Sequence, residues 1–90
     1  MIEEWLKEKM TKEEFVAKQQ QIYESLADRP QVQKSFKEHF WDPFMEHYQD
    51  GDEIWFFSSP DETWHSLCGR AGNAILRNGK CIYSQITELS

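Results

Sequence analysis

Four carboxylates, Glu38, Asp42, Glu46 and Asp50, recur at every fourth residue of the chain. On a helix this spacing puts them on one face, where like charges repel by about 0.3 kcal/mol per pair. They belong to a longer acidic stretch. Residues 38–62 carry eight acids and no lysine or arginine, residues 1–37 balance seven acids with seven bases, and residues 63–90 hold one acid and three bases. The whole formal charge of −6 therefore originates in the middle of the chain. A field of this sign disfavours a nonspecific grip on nucleic acid or on an anionic membrane and selects a basic partner. His39, His47 and nine aromatic residues (Phe36, Phe40, Trp41, Phe44, Tyr48, Trp55, Phe56, Phe57 and Trp64) share or flank the stretch. Complementary charge speeds encounter and aromatic anchors supply contact energy. The candidate partner-binding residues are thus Trp41, Asp42, Glu46, Tyr48 and Asp50, with Trp55 as a further anchor if its strand face is open. The plainer alternative is a solvated acidic face opposite a core stripe.

Other constellations carry less. His65 and Cys68 stand three apart and Cys81 follows on a hairpin, which would suit zinc if all three converged, but the paired Cys-x-x-Cys spacing is missing. His39, Glu46 and His47 fit a metal site less well, because the two histidines fall on different helical rows. Glu62, His65 and Cys68 run at three-residue steps, a Cys-His-Glu order that one helical face could hold. A thiol at the end of a helix is opposed by the dipole, and a triad on one short helix does not reach its working geometry. Arg70, Arg77 and Lys80 cluster near the hairpin without a glycine-rich cradle, and Arg77 and Lys80 read as edge protection at its tip. Asp50 with Asp52 and Asp61 with Glu62 are explained by a turn and a helix cap. No catalytic residue, metal or cofactor is assigned, and the chain reads as a non-enzyme.

Elements that position these residues follow from short-range signals. Thr11 and Glu14 form a capping box with Met10 and Phe15 as its staple, starting a helix whose apolar positions are Phe15, Ile22 and Leu26, with Val16 and Tyr23 beside them. Lys18 and Gln19 to Gln21 fall mainly outside. Residues 2–9 form a short preceding helix in this reading, with Trp5 and Leu6 folded back onto the domain. Pro30 opens a second helix along Val32, Phe36, Phe40 and Phe44, with Trp41, Met45 and Tyr48 as a second apolar row. Asp42-Pro43 predicts a kink or a stop there. Glu53 to Ser58 reads as a strand covered on both faces, with Ile54 and Phe56 on one and Trp55 and Phe57 on the other. Ser59-Pro60-Asp61-Glu62 reads as another capping box, opening a short helix closed by Gly69, and Asn78-Gly79 turns a hairpin in which Leu76 opposes Cys81 and Ile75 opposes Ile82.

The segment GDEIWFFSSP, then Trp64 and Leu67, Gly69-Arg70 with Gly72, Arg77-Asn78-Gly79-Lys80 and Thr87 resemble a recurring pattern, GDE-x-W-x-F-x-SP then GR-x-G then RNGK, in a family of short uncharacterised bacterial proteins. The resemblance is made of structural punctuation in the C-terminal half and implies a fold rather than an activity. The fold class expected is α+β: two or three N-terminal helices on a small antiparallel three-stranded sheet, with a short helix between the first strand and the C-terminal hairpin. Ninety residues make one domain, 1–90. The first ten residues lack the pattern of a secretory signal, the longest apolar run is four residues, and two cysteines are too few for a disulfide scaffold, so the cytoplasm is the expected compartment. The function expected is a small acidic protein-binding module, such as an immunity protein or antitoxin occluding a basic toxin. A regulator that binds a small molecule or metal in the aromatic space between helices and sheet is the alternative. A homodimer formed through the second apolar row is the structural one.

Overall fold

Thr11 and Glu14 start the first long helix as their types require. In the computed structural model, which describes residues 2–89, Thr11 Oγ1 accepts from the Glu14 amide at 3.0 Å and Glu14 Oε1 accepts from the Thr11 amide at 2.9 Å. Helix α1 (Lys12–Ser25) follows, with Met10 and Phe15 both buried in one cluster as the staple demands. Gln19, one turn beyond Phe15, is buried too, against the expectation that it points outward. Position 19 lies about 40° around the helix from Phe15, on the side shared with Val16 and Tyr23, whereas Ile22, on the same face as Phe15, is left exposed at the wall of a hollow.

Residues 2–9 are not a helix. A 3₁₀ turn (Ile2–Glu4) leads into strand β1 (Leu6–Met10), which pairs antiparallel with β2 (Glu53–Ser58) from Leu6↔Phe57 to Met10↔Ile54. The open edge of β2 offers this segment a ladder of backbone partners, a tertiary reward that a short, charged helix lacks. The sheet therefore has four strands in the order β1-β2-β3-β4, with β3 (Arg70–Arg77) and β4 (Lys80–Leu89) forming the hairpin. The architecture is α+β.

The second helix passes through Pro43 without stopping. Its segments are α2 (Pro30–Phe36), a π-helical turn (Lys37–Trp41) and α3 (Asp42–His47), with helical dihedrals at each junction. The Asp42 amide bonds the Lys37 carbonyl, five residues back. This wide turn takes up the ring that would otherwise strike the preceding turn of a regular helix. It also inserts a residue between Glu38 and Asp42, and α3 ends at His47. Only Asp42 and Glu46 keep their helical spacing, and Asp50 lies in the following loop.

Helices cover one face of the sheet. There Met10, Phe15, Phe44, Ile54 and Ile75 form the core, with the Phe15 and Phe44 rings stacked at 4.3 Å. Phe57, Ala74 and Leu76 are buried on the opposite face beneath Ile2, Trp5, Leu6 and Trp55. In the second apolar row of the long helix Met45 and Tyr48 pack on the core and Trp41 lies edge-on to Tyr23 at 5.9 Å, each of the three staying half-buried.

Short helix α4 (Asp61–His65) departs from its expected ends. Ser59 makes no cap; its buried Oγ accepts from the Arg70 amide at 2.9 Å and lies 2.6 Å from Thr63 Oγ1. The left-handed residue that closes the turn is Leu67, at φ 60°, rather than Gly69. Gly69 is needed for closeness: a Cβ there would fall 2.2 Å from Trp64 Cδ2, and Trp64 is pinned by Nε1 donating to Ser58 Oγ at 3.1 Å. In the hairpin Leu76 opposes Cys81 as expected, but Ile75 opposes Tyr83. A bulge takes up Ile82 and keeps Tyr83 on the helical face, against Phe44 and His47.

Candidate functional site

The loop from Tyr48 to Asp52 is held by one fork. Arg77 donates from Nε to Asp52 Oδ1 at 2.9 Å and from Nη2 to Asp52 Oδ2 at 2.8 Å, and Nη2 also reaches the His47 carbonyl at 3.2 Å. Asp52 Oδ2 accepts in addition from the Gln49 amide at 2.9 Å, closing the turn through Gly51. The final residue of β3 thus ties the end of α3 to the start of β2. Arg77 is not a hairpin-tip guard, and its role was hidden because Asp52 lies 25 residues away. Arg70 stands at the other end of the same strand, about 23 Å off by strand rise, so it does not join Arg77 and Lys80, which face each other across the hairpin.

Hydrogen bonds from Arg77 hold the Asp52 carboxyl below its ordinary range, against the opposing effect of burial, with the Gln49 amide adding to them. A carboxyl whose folded value lies below the unfolded one stabilises fully above about pH 4 and loses that contribution as pH falls through the folded value. Asp52→Asn is therefore expected to melt below the wild type at pH 7 and to converge with it once the pH has fallen through the lowered Asp52 value. Thermal melts across that range check this, and a constant difference at every pH would overturn it.

This tether presents Tyr48 and Asp50 to a cleft of about 610 Å³ between the start of α1 and the start of β2. Five carboxylates and two lysines line it. Lys12 Nζ sits 5.8 Å from the Tyr48 ring centroid, and Lys9 bonds Glu53 at 3.1 Å. Of the eight acids of the middle stretch, four are paired with bases from elsewhere: Glu38 with Lys34, Asp42 with Lys37, Asp52 with Arg77 and Glu53 with Lys9. Glu46, Asp50, Asp61 and Glu62 have no basic partner among the described residues.

The six candidates do not form one patch. Trp41, Asp42 and Glu46 lie on the long helix or its π turn, and Tyr48 and Asp50 line the cleft. Trp55 belongs to the opposite face of the sheet, half-buried, with Nε1 donating to Glu53 Oε1 at 3.0 Å, so it cannot act beside Trp41. Alternation along β2 already separated it from Ile54 and Phe56; what sequence left open was which face the helices take.

Comparison with family models, with curated proteins and with solved structures finds no match.

Among the described residues no three His, Cys, Asp or Glu side chains gather as a metal would need. Cys68 lies beyond the end of α4, past left-handed Leu67, so it does not share a helical face with Glu62 and His65. Cys81 is on the far face of the sheet, and burial, aided by the Glu3 carboxylate, raises its thiol above the ordinary range. No helix among the described residues is long and apolar enough to cross a membrane.

Proposed function

We propose that this chain is a small non-enzymatic binding module that engages a basic protein through the long helix from its π turn to the loop after α3, with Trp41, Glu46, Tyr48 and Asp50 as contacts. The observation that carries the reading is the selective pairing of charge. Internal bases neutralise Glu38, Asp42, Asp52 and Glu53, while Glu46 and Asp50 are left exposed, as are Asp61 and Glu62 of α4, and only Asp50 faces a cleft where carboxylates outnumber lysines. A lysine or arginine of the partner fits beside Asp50, with the Tyr48 ring as a flat wall. Asp42 joins when a partner's arginine displaces Lys37, since an ion pair exposed on both sides is weak. An immunity protein or antitoxin that covers a basic nuclease toxin is the specific form of this function.

The test is a double charge reversal, Glu46→Lys with Asp50→Lys. Neither side chain holds the fold, and a lysine in the last turn of α3 suits the dipole, so the melting temperature should stay within a few degrees of wild type. Affinity capture at low salt from the native host should retain a basic protein on the wild type and not on the variant, with release by salt. Equal retention on both chains, or capture only of acidic proteins, would overturn the proposal.

A further inference from the structure

On the same side of the sheet, away from the acidic cleft, a second hollow opens between α1, the long helix and the sheet. Burial along the helix falls from Phe44, fully buried, through half-buried Phe40 and Phe36 to exposed Val32. The gap is a cavity of about 370 Å³, walled by Ile22, Phe36, Phe40 and Phe56 with the carboxamides of Gln19 and Asn73. Its size lies in the range of small-molecule sites, and its make-up, ring faces with a few convergent polar groups, is theirs too.

Gln85 supplies the second, independent observation. It is 8 % exposed, and neither its amide nitrogen nor its amide oxygen has a hydrogen-bond partner. It is the ladder partner of Asn73, about 5 Å away between Cα atoms, and Thr87, two residues along β4, lies on the cavity wall. Gln85 lies behind this wall rather than on it, so its amide meets a ligand edge bonded to Asn73 when its side chain turns toward the cavity. Buried carboxamides left unpaired are destabilising, and an apolar residue of the same shape would serve the core better.

We propose that this cavity binds a small, neutral, planar ring carrying a hydrogen-bond donor and acceptor side by side, as on the edge of a nucleobase or lactam. The carboxamides of Asn73 and Gln85 each offer both a donor and an acceptor to such an edge, and the phenylalanine rings take its faces. A purely apolar ring would leave Gln85 unsatisfied. Lys18 stands at the wall as the one ionised group there, so a substituent that is anionic points toward it.

The test is titration of the ¹⁵N-labelled chain with uracil, and separately with toluene, read on the side-chain NH₂ signals of Asn73 and Gln85. Uracil is expected to shift both signals saturably, and toluene neither. Gln85→Met should weaken uracil binding about tenfold, read on the Asn73 signal, and at the same time raise the melting temperature by several degrees, because the orphan amide is gone. Phe40→Leu should weaken binding while leaving the melting temperature close to wild type. Absence of saturable shifts with uracil, equal binding of toluene, or a Gln85→Met chain that melts lower would each overturn the inference.

Discussion

Phe44→Ala is expected to lower the melting temperature by about 15–30 °C. The Phe44 side chain is fully buried, stacked on Phe15 at 4.3 Å and edge-on to Tyr83 at 6.0 Å, so it joins both helices to the hairpin. Removing such a ring costs about 3–5 kcal/mol in lost burial and an unfilled cavity. Ninety residues give a total stability of about 5–13 kcal/mol, and each kcal/mol moves the midpoint of a domain this size by about 4–8 °C. Thermal melts followed by circular dichroism measure the shift, with Phe44→Leu expected to lose less than half as much. A loss under about 5 °C for the alanine variant would mean that the helix does not depend on this anchor.

Gly72→Ala is the second large effect, of about 3 kcal/mol. A Cβ at this position would lie 1.9 Å from the Gln85 carbonyl oxygen and 2.9 Å from its carbon. Both are backbone atoms, so no rotamer change relieves the overlap and the β3–β4 pair must open beside the bulge that takes up Thr87. Gly79→Ala provides the internal comparison. Gly79 has φ 80° with nothing within 4 Å of the added carbon, and its replacement costs only about 1–2 kcal/mol of backbone strain. Urea midpoints of the two variants should therefore rank Gly72→Ala below Gly79→Ala, with the β4 amides of the former exchanging faster. The reverse ranking would show that the close approach at Gly72 is soft.

Local chemistry made much of the α+β fold legible. The capping box at Thr11 and Glu14, the proline at the first turn of α2, the alternation from Glu53 to Ser58 and the Asn78-Gly79 turn each act over fewer than ten residues, and each is where its residue types place it. The misses share a cause. Leu6–Met10 became a strand because β2 offered it an edge, Ser59 gave its hydroxyl to the Arg70 amide rather than to a cap, and Ile82 was set aside in a bulge so that Tyr83 could reach Phe44. In each case a distant backbone or ring outweighed a local preference worth about 1 kcal/mol.

The candidate site divides in the same way. Sequence alone determined that the chain's negative charge is concentrated between residues 38 and 62 amid aromatic side chains, because charge and residue type are fixed by composition and order. Only the tertiary structure decided which of those carboxylates are spent: Arg77 and Lys9 reach Asp52 and Glu53 from remote parts of the chain, while Glu46, Asp50, Asp61 and Glu62 are left outward. It also decided that Trp55 belongs to the far side and that Gln85 is buried without a partner. Pairing and burial depend on through-space distances between residues remote in the chain, and the packing of helices on the sheet sets those distances.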